Sequence, residues 1–211
     1  MTILVAGATS ALGRALISEL LRRGHEVRGL SRGHGTDGIA WHRGDVRDRA
    51  SLEGCCDGVD VVISSVGAPV WPMWMWPETT FEETDHQGTR NLVDVASSAG
   101  VRKFVYVSVF GEYPNDLEYV AAHERAVSAI RDSEMTHTIV RPTGFHSALT
   151  FTVDLARWRL GVVVGGGRAR SNPIADADLA LACADAIDHP EAGTRPVAGR
   201  PPSGLRGGPV P

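Results

Sequence analysis

The sequence predicts a single α/β domain, a doubly wound parallel sheet with helices on both faces. Short apolar runs of strand length alternate with helical patterns along the chain, which is typical of a parallel sheet covered on both sides. The chain has 211 residues, a length at which one core can form without a disulfide or a metal ion. No stretch reaches the roughly 18 apolar residues of a membrane span, so the apolar runs are assigned to the core of a soluble domain.

Each predicted strand is a short apolar run, and each predicted helix has apolar residues at helical spacing. The first strand, Ile3 to Ala6, is apolar throughout, and the helix after it begins where a glycine-containing turn ends. The elements follow one another as strand 3–6, helix 11–23, strand 26–30, strand 39–42, a short helix from Arg49, strand 59–64, a helix ending near Ala99, strand 103–107, helix 117–132 and strand 137–140. No internal repeat is present among them.

The pattern is weaker after Arg141. A helix is predicted over 149–159, an extended segment over 162–164 and a last helix over 176–187, with Asp176 as its N-cap. We expect this part to form a small C-terminal extension on the substrate side of the domain.

The 22 residues from Pro190 onward hold six of the 12 prolines and five of the 24 glycines. This density of breakers predicts an extended or loosely ordered tail with no further packed element. We therefore divide the chain into a folded domain, 1–188, and a Pro/Gly-rich tail, 189–211. A solvated terminus is the main interpretation of the tail, and a swapped arm or a lid is the alternative.

Charge and composition exclude several classes of function. The 21 Lys plus Arg and 25 Asp plus Glu give a formal charge of −4 without a basic stripe, so nucleic acid is not an expected partner. The N-terminus is apolar from Ile3, which predicts a strand and not a signal peptide, and no membrane attachment is expected. Cys55 and Cys56 are adjacent and Cys183 has no ligand-type neighbour, so we expect reduced cysteines, no metal site and a cytoplasmic protein.

The segment Gly7-Ala8-Thr9-Ser10-Ala11-Leu12-Gly13 follows the first strand and opens the first helix, as a dinucleotide-binding loop does. In such a loop a pyrophosphate lies on free N–H groups at the positive end of the helix dipole. Gly7 would allow the tight turn, Gly13 the close approach of helix and sheet, and the Ser10 hydroxyl could reach a phosphate. An ordinary strand-to-helix turn is the alternative. The loop residues assigned to the cofactor are Gly7, Thr9, Ser10, Ala11, Leu12 and Gly13.

The end of the second strand predicts which dinucleotide is bound. A carboxylate there holds a free ribose 2′-hydroxyl, whereas a cation holds a 2′-phosphate, and residues 28–32 contain no acid. Ser31 and Arg32 would hold the phosphate, which favours NADP(H) over NAD; a solvated Arg32 is the alternative. Beside Val46, Asp45 could accept a hydrogen bond from the adenine amino group or cap a helix.

Further motifs complete a family resemblance. They are Gly44-Asp45-Val46-Arg47-Asp48, Gly88-Thr89-Arg90-Asn91-Leu92-Val93, Phe104-Val105-Tyr106-Val107-Ser108, His123-Glu124, Thr138-Ile139-Val140-Arg141-Pro142-Thr143-Gly144-Phe145, Asn172-Pro173-Ile174 and Asp178-Leu179-Ala180. With the glycine loop and Arg32, the chain resembles the short-chain dehydrogenase/reductase superfamily over about residues 1–188. Within it, the chain is most similar to the atypical, NmrA-like NAD(P)H-binding branch.

The resemblance implies a Rossmann domain with the cofactor across the carboxyl ends of the strands. It places Ser108 and the segment from Pro142 to Phe145 beside the nicotinamide. The chain is shorter than many relatives, which disfavours large bipartite substrates such as nucleotide sugars. Also assigned to the cofactor site are Ser65, Val66 and Gly67, which follow the fourth strand.

The proton-transfer residues of the better-known members are a Tyr-x-x-x-Lys pair, together with a Ser that orients the substrate oxygen. The resemblance therefore implies Ser108, Tyr119 and His123 as catalytic residues; the lysine is missing, and an imidazolium at His123 could replace its charge only in part. Residues i and i+4 share a helix face, so Tyr119 and His123 can converge, although a histidine with an ordinary pKa of about 6.5 is mostly neutral at pH 7. Alternatively, the Tyr119 ring packs on the sheet and His123-Glu124 forms a capping or ion pair.

The segment 70–77 holds three of the five Trp and two of the four Met. Its prolines predict a loop after the fourth strand, at the ligand-binding edge of the sheet. Trp71, Trp74 and Trp76 would contact a flat apolar substrate, form a lid or form a partner surface. Alternatively, the loop folds its rings onto the core.

Together these observations favour an NADPH-dependent oxidoreductase that acts on a small aromatic or conjugated acceptor. Two alternatives stay open. One is an NADP(H)-binding, NmrA-like regulator without turnover, which the missing lysine favours; the other is an isomerase or epimerase that retains its cofactor. A small-molecule substrate is the expected partner, and a homodimer is a further option.

Overall fold

The computed structural model describes residues 1–33, 35, 38–69, 79–110, 117–147, 157, 159, 172–189 and 192–197. In these residues strands and helices alternate, as the apolar pattern predicts. The elements are β1 (Thr2–Ala6), α1 (Ala11–Arg22), β2 (Glu26–Ser31), β3 (Ala40–Arg43), a 3-10 turn (Arg49–Leu52), β4 (Val61–Ser64), a π-helical segment (Glu82–Gln87) that continues into α2 (Gly88–Ser98), β5 (Lys103–Val107), α3 (Glu118–Arg131), β6 (Thr136–Pro142), α4 (Asp176–Ile187) and β7 (Gly193–Val197).

The described strands form one parallel sheet in the order β3-β2-β1-β4-β5-β6-β7. The chain proceeds from β1 outward to β3 and then returns to the other side of β1 for β4. The carboxyl ends of β1 and β4 therefore flank the point where the strand order reverses, the usual ligand site of such sheets. The predicted doubly wound α/β fold is confirmed.

Both faces of the sheet are covered, which explains why the central strands are mainly apolar. In β1, Ile3 and Val5 belong to the core beneath α1 and α4, whereas Leu4 and Ala6 belong to the core beneath α2 and α3. All four are fully buried. Cys55, Cys56 and Cys183 are free thiols buried within these two cores.

The chain after Pro190 contributes β7 to the sheet, so the prediction of no further packed element there is wrong. This strand pairs in parallel with β6, with Ile139 opposite Thr194 and Pro142 opposite Val197. Its proline, Pro196, is tolerated because an edge strand has one unpaired side on which a missing N–H costs nothing.

Helix α4 begins at the predicted residue, but Asp176 is not its N-cap. Ala175 occupies the cap position, and Asp176 is the first helical residue, where its carboxylate accepts a 2.8 Å hydrogen bond from Ser147 Oγ. The predicted helix over 149–159 and the segment over 162–164 lie outside the described residues, apart from Arg157 and Arg159. Among the helices that the structure describes, none has the length and apolar character needed to cross a bilayer.

Candidate cofactor site and active site

Two neighbouring cavities open where the strand order reverses. The first cavity has a volume of about 370 Å³ and the second about 210 Å³. They share one wall, formed by Ser10 at the start of α1 and by Ser65, Val66 and Gly67 after β4. The first cavity lies at the end of β2 and the second reaches α3, and the two neighbouring cavities are called the groove below.

The structure brings most of the predicted cofactor residues to this groove. Pro142 instead lines a third cavity of about 240 Å³, together with Phe145, and Gly13 lines none of the three. The first cavity is lined by Gly7, Thr9, Ser10, Ser31, Arg32, Asp45, Val46, Ser65, Val66 and Gly67, and the second additionally by Ala11, Leu12 and Phe145. Their contacts with a cofactor stay predictions.

The glycine loop is as tight as the sequence predicts. Gly7 has a φ of +81°, which side chains rarely adopt. A Cβ on Gly13 would lie 2.3 Å from the Gly7 carbonyl oxygen, so only glycine lets α1 approach the loop this closely. Ser10 caps α1 by accepting a 2.9 Å hydrogen bond from the Gly13 N–H, which leaves its hydroxyl proton for a ligand.

The start of α1 fits an anionic group. Ala11 and Leu12 lie in its first turn, where backbone N–H groups have no acceptor within the helix. With the positive end of the helix dipole they provide donors and partial charge for a pyrophosphate. The start of α1 therefore fits the pyrophosphate of a dinucleotide.

The loop geometry predicts that Gly13→Ala is destabilising. The added methyl group would meet backbone atoms of Gly7 and Ala8, which cannot move without shifting α1. We expect a loss of about 1 to 3 kcal/mol in the free energy of unfolding, measured by urea denaturation. Gly33→Ala is the control, because no described atom lies within 4 Å of a Cβ there. If Gly13→Ala lowered the free energy of unfolding no more than Gly33→Ala does, the described loop geometry would be contradicted.

The carboxylate of Asp45 lines the first cavity and is paired with Arg47. The Arg47 side chain donates to it at 2.7 Å and the Arg47 N–H at 3.0 Å, and this guanidinium lowers the pKa of the Asp45 carboxyl. Asp45 caps no helix, because Asp48 is the N-cap of the 3-10 turn that follows. Its predicted contact with adenine stays a prediction.

The second cavity brings together Ser108, Tyr119 and His123, the predicted catalytic residues. Ser108 is buried, and its Oγ has no hydrogen-bond partner among the described residues. The Tyr119 ring is half-buried and meets the Phe81 and His123 rings edge to face, with centroid distances of 5.2 and 4.8 Å. The serine and tyrosine hydroxyls thus stand at one cavity wall.

His123 is a buried residue that is neutral at pH 7. It is only 4% exposed, and this burial lowers its pKa to about 4. Its Nδ1 is 2.8 Å from the Tyr106 hydroxyl. Burial therefore disfavours the imidazolium that would have to replace part of the charge of the lysine.

Glu124 forms an ion pair, but not with His123. Arg141 donates to both of its carboxylate oxygens, at 2.6 and 3.1 Å, and this pairing lowers the pKa of Glu124. The pair connects α3 to β6, so the predicted His123-Glu124 pair is wrong.

Asp85, in the π-helical segment, is the site residue that sequence reasoning missed. It is fully buried, it lines the second cavity, and burial raises its pKa to about 7. A signal was present in the sequence, because Asp85 precedes the buried Gly88 and Leu92 by three and seven residues, a spacing that places an acid on the core-facing side.

Trp71, Trp74 and Trp76 lie outside the described residues, so their substrate or lid role stays a prediction. The residues that flank their segment, Pro69 and Thr79, both line the first cavity. Over the described ranges, no group of three or more His, Cys, Asp or Glu side chains is arranged to hold a metal ion.

The domain has a tight glycine turn and a capped helix at the point where the strand order of its parallel sheet reverses, with a groove on both sides. These features define a dinucleotide-binding domain. The chain belongs to the NAD(P)H-binding family whose model matches residues 7–190. This is an oxidoreductase-type family, and the predicted membership of the atypical short-chain dehydrogenase/reductase branch is confirmed.

Curated relatives include reductases. The chain is 30% identical over 215 residues to the chloroplastic divinyl chlorophyllide a 8-vinyl-reductase of Zea mays, a match that covers 88% of this chain and 51% of the relative. It is 35% identical over 208 residues to sterol demethylase protein B of Methylococcus capsulatus, covering 79% of this chain and 60% of that protein. The chain thus spans about half the length of the plant reductases that it matches.

Solved structures with NAD bound share the fold. WbmH of Bordetella bronchiseptica superposes with a TM-score of 0.78 at 17% identity, covering 93% of this chain and 75% of that one. The UDP-glucose 4-epimerase of Thermus thermophilus gives a TM-score of 0.77 at 19% identity, covering 94% and 78%. At these identities the likeness concerns the fold alone.

Proposed function

We propose that the chain is a cytoplasmic, NADPH-dependent reductase of a small, apolar, aromatic or conjugated acceptor. The observation that carries the choice of NADPH is the cationic end of the first cavity. The three buried free thiols support a reducing compartment. The proposal includes a small molecule as the substrate and a homodimer as a further option.

The residues at the end of β2 support a 2′-phosphate. Among the described residues that directly follow the strand, Arg32 and Gly33, there is no carboxylate. Ser31 and Arg32 line the cavity there, and the Ser31 hydroxyl donates to the Gly33 carbonyl oxygen at 2.9 Å. Arg47 also lines this cavity, but Asp45 balances its charge. Arg32 has no ion-pair partner among the described residues, although its charge also contributes to lowering the pKa of Asp45, so a phosphate could pair with Arg32.

The third cavity supports an apolar acceptor. Ser108, Tyr119 and Phe145 line both the second and the third cavity, so a substrate there would lie next to the nicotinamide half of the groove. No charged side chain lines the third cavity among the described residues, which suits an uncharged ring. Its remaining walls are Val109, Phe110, Leu117, Val120, Pro142, Thr143 and Gly144.

The chemistry follows from these positions. The cofactor, when bound, supplies a hydride. The Ser108 hydroxyl would orient the acceptor oxygen, and the Tyr119 phenol would deliver the proton that completes the reduction. The maize relative is named as a vinyl-reductase, which supports a conjugated double bond or carbonyl as the reduced group.

Turnover tests this proposal directly. NADPH oxidation would be followed with a panel of quinones, flavins and conjugated carbonyl compounds, and we expect at least one acceptor to be reduced. NADPH binding without any turnover would favour the regulator instead, an interpretation that the neutral His123 supports. Cofactor that stays bound through purification, with no net oxidation, would favour an isomerase or epimerase.

The cofactor preference predicts a selective effect of Arg32→Ala. Charge-assisted hydrogen bonds contribute about 1.5 to 3 kcal/mol, so NADPH should bind roughly ten- to a hundredfold more weakly, while NADH binding should hardly change. Calorimetry with both nucleotides measures this. Arg49→Ala is the matched control, because Arg49 pairs with Asp94 away from the cavity. Equal losses for both nucleotides, or a wild-type preference for NADH, would contradict the assignment.

A further inference from the structure

The second cavity contains a buried carboxylate oxygen with an unmet hydrogen-bonding requirement. Asp85 is fully buried, and its Oδ2 accepts a 3.0 Å hydrogen bond from the Ala68 N–H. Its Oδ1 has no hydrogen-bond partner among the described residues. A buried carboxyl oxygen without a donor is costly and rare, which indicates that a partner from outside the chain completes the site.

The neighbouring side chain does not supply that donor. His123 Nε2 lies 3.2 Å from Asp85 Oδ1, but the two atoms do not form a hydrogen bond. The other nitrogen of the ring is held by the Tyr106 hydroxyl. The histidine therefore lies within ion-pair distance of the carboxyl group, but it does not complete a hydrogen bond to Oδ1.

No side chain of residue 67 stands in front of this oxygen, because that residue is a glycine. A Cβ on Gly67 would lie only 3.2 Å from Asp85 Oδ1. Gly67 also belongs to the wall that the first and second cavities share. A ligand that passes from one cavity to the other thus crosses the surface that faces the carboxyl group.

The order of groups in a dinucleotide identifies the donor. The second cavity begins at Ala11 and Leu12, the N–H groups that fit a pyrophosphate, and the adenosine half is assigned to the first cavity. The group that follows the pyrophosphate is the nicotinamide ribose, which carries two hydroxyl donors. Carboxylates are the usual acceptors for ribose hydroxyls in folds of this type.

We propose that Asp85 Oδ1 accepts a hydrogen bond from a hydroxyl group of the nicotinamide ribose. Asp85 is then a cofactor-binding residue on the opposite side of the groove from α1. This inference rests on the proposed function only for the identity of the dinucleotide, because it concerns binding and needs no turnover.

The variant that isolates this contact is Asp85→Asn. The asparagine oxygen can keep the bond from the Ala68 N–H, while its NH₂ group then presents a donor where the ribose needs an acceptor. Glu82→Gln is the matched control, because it makes the same change on the same segment at a partly exposed residue that pairs with Arg125. Asp85→Ser is a second variant, which keeps a small acceptor for Ala68 and removes the oxygen that faces the cavity.

Three ligands distinguish a contact with the nicotinamide ribose from a contact with the carboxamide and from an indirect effect through the loop at Ala68. Calorimetry measures the dissociation constant of each ligand. NADPH contains both halves. Adenosine 2′,5′-bisphosphate lacks the nicotinamide riboside. The acetylpyridine analogue of NADP retains the ribose but lacks the carboxamide NH₂ donor, and it is compared with NADP itself. Thermal melts without ligand establish that each variant is folded.

We expect Asp85→Asn and Asp85→Ser to weaken NADPH about tenfold or more. The bisphosphate should bind to both variants as tightly as to the wild type, and the binding of the acetylpyridine analogue should be weakened as much as that of NADP.

Equal weakening of NADPH and bisphosphate binding would overturn the proposal, because Asp85 would then act through the loop at Ala68. Unchanged NADPH binding would overturn it too, and a loss absent with the analogue would assign the contact to the carboxamide. If the wild type binds none of the three ligands, the proposed function fails along with this contact, whereas binding without turnover leaves the result of this experiment intact.

Discussion

Tyr119→Phe should lower the turnover number about 10²- to 10⁴-fold, the usual contribution of a general acid. The substitution removes only the phenol hydroxyl, because a phenylalanine ring keeps the edge-to-face contacts with Phe81 and His123. The NADPH dissociation constant should therefore stay within about twofold of the wild-type value, which corresponds to less than about 0.5 kcal/mol. Steady-state kinetics with the best acceptor of the panel, together with calorimetry, measures both quantities.

Tyr106→Phe is the control for this experiment. It also removes a phenol hydroxyl next to His123, but Tyr106 is fully buried and lines none of the three cavities. It should reduce stability and affect turnover far less. Full activity in Tyr119→Phe would mean that the proton comes from water or from the substrate itself.

The second large effect concerns the pH dependence of stability, and it follows from the adjacent Asp85 and His123. In the unfolded chain their pKa values are near 3.8 and 6.5, whereas in the folded chain burial raises the pKa of Asp85 to about 7 and lowers that of His123 to about 4. Between about pH 4 and 6.5 the pair therefore holds one proton in either state, on the histidine when unfolded and on the aspartic acid when folded. Because unfolding then neither takes up nor releases a proton at this pair, the pair does not make the free energy of unfolding of the wild type depend on pH in this range.

Asp85→Asn should remove this balance. Only the histidine then titrates, and the unfolded chain takes up its proton below pH 6.5 while the folded chain resists protonation until about pH 4. The free energy of unfolding of the variant should fall by up to about 1.4 kcal/mol per pH unit, relative to the wild type, as the pH is lowered through this window.

His123→Gln should show the opposite slope. Only Asp85 then titrates, and its contribution, present below about pH 4, is lost as the pH rises towards 7. Urea unfolding of the three proteins at a series of pH values measures these slopes. Parallel curves for all three would refute the exchange of the proton between the two residues.

The fold could be predicted from the sequence because its signals are local. β1 is buried on both faces and is therefore apolar at every position after Thr2, and the glycine turn lies at the junction of β1 and α1. The exception is β7, where a proline and a glycine suggest a breaker. Only its position at the edge of the sheet, which depends on the pairing of distant strands, makes that composition acceptable.

The candidate site could be predicted where its residues belong to one loop, and not where distant elements meet. The cofactor residues from Gly7 to Gly13 are contiguous, and Ser31 and Arg32 follow directly from the end of a strand. The charge of His123 depends instead on burial against Tyr106 and Asp85, from two other elements. That environment arises only when the π-helical segment, α3 and β5 have packed together, so the sequence alone could give no more than the ordinary pKa of a histidine.

The pairing of β7 with β6 has a consequence for how this molecule behaves in a crowded solution. β6 is seven residues long and has a buried apolar centre at Ile139 and Val140. Without β7 it would end the sheet as a long unpaired edge, the kind of strand to which other chains add and begin to aggregate. β7 is shorter and carries Arg195 and Pro196, a charge and a missing donor that both discourage such addition. A chain shortened to residue 188 should therefore retain its cofactor groove and yet be prone to self-association.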